Sequence, residues 1–388
     1  MNEIRALDER YVANTYRRFP VEVVRGKGSY LFDAEGKRYI DMGSGIGVTA
    51  FGIGDEAWKK AVIDQLDKVQ HTSNLYYTEP CAALAAALCE RTGMKKVFFA
   101  NSGAEANECA IKVARKWAQE KRGIENPVIV TLENSFHGRT LTTLAATGQA
   151  CFHTLFAPLT PGFCHTPAND FSAMEKALSR PDTAAVMIEC VQGEGGVLPL
   201  DADFVKKTAE LAAKKEILLL VDEVQTGNGR TGALYAYMHY GIRPDVVTTA
   251  KGLGGGLPIG AALLGEKTAD TLGYGDHGST FGGNPIAAAG ALSILSRLNE
   301  EFLSEVRKKG ELLKQAFDGA KGIRSVSGMG LMLGLETERP ASEVVADCIR
   351  KGVLPLTAKN KVRLLPALNI PVPLLEEAAA VIREAAAG

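Results

Sequence analysis

Lys251 follows the apolar run DVVTTA at 245–250 and precedes the flexible GLGGG of 252–256. A lysine amine is a weak nucleophile at its ordinary pKa. At a half-buried strand end that pKa falls, and the amine can condense with an aldehyde to a Schiff base. Asp222 closes a second apolar run, ILLLVDE at 217–223. Open α/β sheets bind their ligands beyond the C-terminal ends of the strands. A carboxylate placed there can pair with a protonated ring nitrogen and keep that ring electron-withdrawing. Val224 then falls behind the ring, and Gln225 comes within reach of its oxygen.

Two further segments fit the same purpose. NSGAEAN at 101–107 reads as a strand end, a turn through Ser102, Gly103 and Ala104, and the start of a helix. Free backbone N–H groups and the helix dipole favour a phosphate at such a point, and glycine lets the backbone approach it closely. In ENSFHGRT at 133–140, Phe136 can stack on a flat ring and Arg139 offers a planar fork to a carboxylate. Taken singly, each residue has a plainer reading. Lys251 is then a solvated lysine, Asp222 a helix cap, Ser102 with Glu105 a capping box, Phe136 ordinary core and Arg139 a surface charge.

The elements that must position these groups alternate. A helix at 80–91, a strand at 96–100, a helix from 104 to about 121, strands at 127–132 and 184–189 and a helix at 203–215 are predicted, followed by strands at 217–223, 245–250 and 260–265. Short β-branched runs separated by helices predict a mostly parallel sheet covered on both faces. Helices at 285–298 and 301–317, strands at 323–327 and 331–336, a helix at 341–351, a strand at 361–365 and a helix at 374–386 predict an α+β unit. Short strands within 20–42 are expected to pack on it. The expected organisation is an N-terminal segment at 1–50, a large domain at 51–290 and a small C-terminal domain at 291–388.

Composition narrows the function. A net charge of −1 over 388 residues gives no general attraction for nucleic acid or anionic membrane. The first twenty residues alternate in charge and are expected to be neither secretion signal nor transit peptide. No apolar run has membrane-spanning length. Seven scattered cysteines, none in a CxxC pair, argue against a disulfide framework or a zinc site and for a reducing compartment, the cytoplasm. No metal site is expected.

Together NSGAEAN, ENSFHGRT, ECVQGEGG, LLLVDEVQTG, AKGLGGGLPIG and HGSTFGGNP, in this order, resemble the class III (ornithine-type) aminotransferases that use pyridoxal 5′-phosphate (PLP). The resemblance runs from about Phe19 to Arg363, and the interval from Asp222 to Lys251 agrees with it. It implies the fold type I architecture of PLP-dependent transferases, with a mostly parallel seven-stranded sheet and a smaller α+β domain. It implies that Lys251 holds the cofactor and shuttles a proton, and that Asp222 pairs with the pyridine nitrogen. Gln225 then contacts the ring oxygen, Ser102, Gly103 and Ala104 bind phosphate, and Phe136 and Val224 flank the ring. Thr280 is implied to reach the phosphate in a neighbouring subunit, which calls for a homodimer. Arg139 is implied to hold a substrate carboxylate, with Ser279 beside it in the substrate set. Glu194 and Arg363 form a gate, paired for the amine donor and parted for 2-oxoglutarate. Tyr16, with Arg17 and Arg18, is implied at the substrate's distal end.

Within the class, HTSNLYYTEP at 71–80 and the compact length are most similar to the bacterial acetylornithine branch, which implies N2-acetylornithine and 2-oxoglutarate as substrates. Ile46 stands where ornithine-specific members carry a tyrosine. The chain departs from the class with GIGDEA at 52–57 in place of GHxHP, and with Gly227-Asn228-Gly229-Arg230 in place of GIGR. Other class III activities (succinylornithine, ornithine, 4-aminobutyrate or lysine-type transamination, or an aminomutase) and a non-catalytic PLP-binding protein are the nearer alternatives. A dinucleotide oxidoreductase is a more distant one, since Gly45 to Ala50 fits GxGxxA after a short strand.

Overall fold

The computed structural model describes residues 3–388. Seven strands form the main sheet in the order Lys96–Ala100, Gly260–Leu264, Val246–Thr249, Leu218–Asp222, Thr183–Ile188, Val128–Leu132 and Phe163–Thr166. The five from Val246–Thr249 to Phe163–Thr166 pair in parallel. Gly260–Leu264 alone is reversed, antiparallel to both neighbours. Its direction has a simple cause. Only residues 250–259 link it to the preceding strand, and a parallel return needs a crossover of a dozen residues or more. Apart from its Lys96 end and the Phe163–Thr166 edge the sheet is buried, as its runs of Val, Ile and Leu require.

The strands read from the sequence fall within a residue or two of their predicted bounds, but only six were legible. The seventh, Phe163–Thr166, is a four-residue edge strand between Gly162 and Pro167, too short and too polar to stand out. Helices Glu3–Tyr11, Glu56–Leu66 and Phe171–Leu178 were also missed, and the helix begun by Pro285 stops at Leu295.

Helix Gly103–Arg122 lies across the sheet. Ala106, Ala110, Val113, Ala114 and Trp117 recur at helical spacing on its buried face. Ser102 caps its N-terminus by accepting a hydrogen bond from the Glu105 N–H, and left-handed Gly123 ends it.

Strands Val23–Lys27, Tyr30–Asp33 and Arg38–Asp41 form an antiparallel sheet extended in parallel by Val353–Leu354. A second antiparallel sheet holds Ile323–Met329, Met332–Thr337, Lys361–Leu364 and Leu356–Ala358. The dinucleotide alternative fails here. Ser44, Gly45, Ile46 and Gly47 have φ of 47°, 61°, 65° and 74°, a left-handed turn after strand Arg38–Asp41. No right-handed helix begins there to offer its N–H groups to a pyrophosphate.

Candidate active site

Lys251, Asp222 and the Ser102 turn all sit at one end of the main sheet and line one cavity of about 410 Å³. Lys251 comes two residues after the Val246–Thr249 strand and carries a φ of 45°. That left-handed conformation is uncommon for a long side chain and typical of functional positions. Burial lowers its amine pKa; Glu194 and Asp222 oppose this without cancelling it. The amine is thus nearer to its nucleophilic form than a solvated lysine.

Asp222 ends its strand and is 4% exposed. Its Oδ1 accepts from the Val224 N–H at 3.0 Å. Its Oδ2 accepts from Asn107 Nδ2 at 2.8 Å and faces His137 Nδ1 at 2.8 Å. Asn107 is fixed in turn by Thr248 Oγ1, which donates to its Oδ1 at 2.6 Å. Burial acts to lower the His137 pKa, but the hydrogen bond and charge of Asp222, with Glu189 behind them, leave it raised. Asp222 thus stands at the cavity with its carboxyl oxygens fixed by three partners.

His137, Asn107 and Glu189 were not singled out from the sequence. Asn107 lies inside NSGAEAN and His137 inside ENSFHGRT, so the signal was proximity to a motif and no more. Glu189 follows the Thr183–Ile188 strand, lines the cavity and is 5% exposed. Its carboxyl is pushed up to about 7, chiefly by burial. It accepts from the Phe136 N–H at 2.8 Å and from the Gly193 N–H at 3.3 Å.

Gly103 and Ala104 open the helix, so their N–H groups have no intrahelical acceptor, and both face the cavity with Ser102. A Cβ on Gly103 would stand 2.5 Å from Val224 Cγ1, and one on Gly260 would stand 2.2 Å from the Ser102 carbonyl oxygen. Those two missing side chains let the turn close down beside Val224. Phe136 is half-buried on the wall, its ring edge-on to Phe152 at 5.8 Å. Arg139 is exposed at the rim, its guanidinium 4.2 Å from the Phe152 ring centre.

Gln225 lines the cavity and connects it to the Glu194–Arg363 pair. Its Nε2 donates to Glu194 Oε1 at 3.2 Å, and its Oε1 accepts from Arg363 Nη1 at 3.2 Å. Arg363 donates to Glu194 directly and is 3% exposed. Burial raises the Glu194 pKa, but Arg363 outweighs it and the carboxyl ends below its usual value.

Five expected residues lie outside the cavity lining: Glu194 and Arg363, which reach it only through Gln225, and Tyr16, Ser279 and Thr280. Tyr16 is 73% exposed, with the Arg18 guanidinium over its ring. Thr280 is exposed, and the half-buried Ser279 uses its Oγ to accept from Asn101 Nδ2 and the Gly282 N–H. Among the described residues no His, Cys, Asp or Glu cluster could hold a metal ion, and no helix is long and apolar enough to cross a membrane.

A lysine and a carboxylate address one cavity, beside a helix N-terminus, at the strand ends of a mostly parallel sheet, where open α/β folds bind ligands. The aminotransferase class-III family matches residues 11–386, and the chain belongs to it. It is 49% identical over 385 residues to the acetylornithine aminotransferase of Haemophilus ducreyi, covering 99% of this chain and 98% of that one. Among solved structures, the N-acetylornithine aminotransferase of Stenotrophomonas maltophilia superposes with a TM-score of 0.84 at 35% identity, covering 98% of this chain and 97% of that one. An ornithine aminotransferase from Toxoplasma gondii, described with partial occupancy of PLP at its active site, gives 0.94 at 31%, covering 99% and 94%. Class-III aminotransferases use PLP, and this chain is a PLP-dependent aminotransferase.

The residues present fit that cofactor. The Ser102 hydroxyl and the N–H groups of Gly103 and Ala104 suit a phosphate, the Asp222 carboxylate suits a pyridinium, and the Lys251 amine suits an aldehyde. The absent side chains of Gly103 and Gly260 let the turn pack against Val224 and the Gly260–Leu264 strand at the cavity.

Proposed function

We propose that the chain transfers the δ-amino group of N2-acetylornithine to 2-oxoglutarate, giving N-acetylglutamate 5-semialdehyde and glutamate, a step of arginine biosynthesis. The observation that carries the reaction is the shared cavity of Lys251 and Asp222, whose wall residue Gln225 is hydrogen-bonded to the Glu194–Arg363 pair behind it. The similarity to acetylornithine aminotransferases carries the substrate.

When bound, PLP supplies an electron-withdrawing ring beside the amine-bearing carbon. The chain's own groups do the rest. Lys251 Nζ would hold the cofactor through its aldehyde and, when freed, would be the base that takes the proton from the amine-bearing carbon and the acid that delivers it to the former aldehyde carbon. Asp222, oriented by His137 and Asn107, would pair with the ring nitrogen. Phe136 and Val224, both on the cavity wall, would flank the ring, and Arg139 would take the substrate's α-carboxylate. Paired with Glu194, Arg363 is neutralised while the amine donor, which has no second carboxylate, is bound. Released, it clamps the second carboxylate of 2-oxoglutarate. Tyr16 is proposed for the distal end of the donor.

We propose a cytoplasmic homodimer. Leu75, Tyr76, Tyr77 and Phe281 are 80%, 73%, 106% and 59% exposed. Asn74 Nδ2 ties their two segments together through the Ser279 and Gly282 carbonyls. An apolar patch of this kind next to Thr280 suits a second copy, which would bring Thr280 to the neighbouring phosphate. All seven cysteines are free, which suits a reducing compartment. The deciding experiment is glutamate formation with N-acetylornithine, succinylornithine, ornithine and 4-aminobutyrate compared side by side. The expected order puts N-acetylornithine first; equal or faster turnover of ornithine would overturn the substrate.

A further inference from the structure

Glu189 has no part in the chemistry described so far, yet it is a nearly buried carboxyl on the cavity wall. Its two oxygens hold two backbone N–H groups from different segments. Oε1 takes that of Phe136, beside the ring-stacking side chain, and Oε2 takes that of Gly193, the residue before Glu194.

The turn carrying Glu194 is held elsewhere too. Val197 N–H and Gly196 N–H both donate back to the Gly193 carbonyl, at 3.3 and 3.4 Å. Ser327 Oγ, from the smaller antiparallel sheet, donates to the Val197 carbonyl at 2.8 Å. A Cβ on Gly193 would stand 2.4 Å from Gln225 Oε1, and one on Gly195 would stand 2.8 Å from the Asn134 carbonyl oxygen. The turn is therefore wedged at its near root between Glu189 and Gln225 and tied at its far root to the other sheet.

We propose that Glu189 is a positioning residue of the gate: it anchors the Gly193 root, so that Glu194 leaves Arg363 by side-chain rotation while its backbone stays in place. This rests on the aminotransferase reading above and deepens it. The geometry gives the reason. A side-chain switch is reproducible only if its Cα is fixed, and a buried carboxylate accepting two N–H bonds is a stiff anchor. Glutamine at 189 keeps the size but has one acceptor oxygen, and it turns an NH2 toward one of the two N–H groups.

The test compares Glu189→Gln, Glu194→Ala and the double variant as holoenzymes. In Glu189→Gln the KM for N-acetylornithine is expected to rise about tenfold while that for 2-oxoglutarate changes less than about twofold, because a loosened Glu194 no longer neutralises Arg363. In the double variant the Glu189 change is expected to add nothing to the loss from Glu194→Ala, since both act through one group. Amide hydrogen exchange gives a readout that does not depend on turnover: residues 193–197 are expected to exchange at least about tenfold faster in Glu189→Gln. Additive effects, equal losses for both substrates, or unchanged exchange at 193–197 would overturn the anchor. A wild-type protein that does not turn over either substrate would sink the functional reading, and the exchange measurement would still decide the anchor.

Discussion

Asp222→Asn isolates the charge at the centre of the proposed site. The side chain keeps its size, and the amide oxygen can still accept from Val224 N–H or from Asn107, so the fold is expected to survive. What disappears is a negative charge that is 4% exposed and receives three donors within 3.0 Å. Little water reaches it, so its partner in the cofactor loses a poorly screened attraction. Removing one member of a buried pair costs about 3–5 kcal/mol. At about 1.4 kcal/mol per factor of ten, the half-reaction should slow by about 10²- to 10⁴-fold. Stopped-flow loss of the cofactor's near-visible absorbance on mixing with N-acetylornithine measures it, and the same absorbance before mixing shows that Lys251 still holds the cofactor. A loss below about tenfold with that absorbance intact would refute the claim that Asp222's charge drives the step.

A second signature comes from His137. Its pKa is raised in the wild-type fold, so its contribution to stability is full below about pH 6.5 and fades as pH rises through the folded value. With the charge of Asp222 removed, burial dominates, the folded pKa drops and the sign reverses. The variant should therefore lose stability, relative to wild type, as pH falls from about 7 to about 5.

Mixing Thr280→Asp subunits with Lys251→Ala subunits should restore activity that neither shows alone, because one of the two hybrid sites then has an intact lysine and an intact partner threonine. Activity no greater than the sum of the parents would exclude the shared site. Asn228→Ile places a β-branched residue at a φ of 56° and deletes the donations from Asn228 Nδ2 to Thr249 Oγ1 and the Ala250 carbonyl. The class more often has isoleucine there, yet in this backbone the change should destabilise by about 2–3 kcal/mol, read as a lowered denaturation midpoint; an unchanged midpoint would refute it. Glu223 is buried, accepts from Thr226 Oγ1 and the Tyr237 N–H, and is pushed up to about 7 by burial. A raised carboxyl stabilises fully below its unfolded value and loses that contribution as pH rises through the folded one. Stability should thus fall between about pH 5 and about pH 8, and Glu223→Gln should flatten that slope; a variant with the wild-type slope would assign it to other groups.

Much of the fold was legible because buried parallel strands leave an unmistakable trace: short runs such as VIVTL and LLLVD are apolar on both faces and cannot be surface. Asp222 ends such a run and Lys251 follows another, where a sheet presents its ligands, so their place at one end of the sheet could be expected before their proximity was known. The reversal of Gly260–Leu264 was legible in principle from its ten-residue link, but its apolar pattern is the same in either direction. The edge strand Phe163–Thr166 left little trace, being half-exposed and four residues long.

Other features belong to the tertiary structure alone. Asn107 is one polar residue in a helix and His137 one histidine in a loop; nothing in their spacing says that both converge on one oxygen of Asp222. Glu189 looks like any carboxylate after a strand until the fold brings Phe136 and Gly193 to its two oxygens. The sequence by itself determined which segments become strands and helices and which reactive groups end them, because burial periodicity and chain chemistry are local. Only the packed chain decided which donors and charges surround those groups, because hydrogen bonds and desolvation depend on distance in space, and residues 107, 137, 189 and 222 become neighbours only once the sheet has closed.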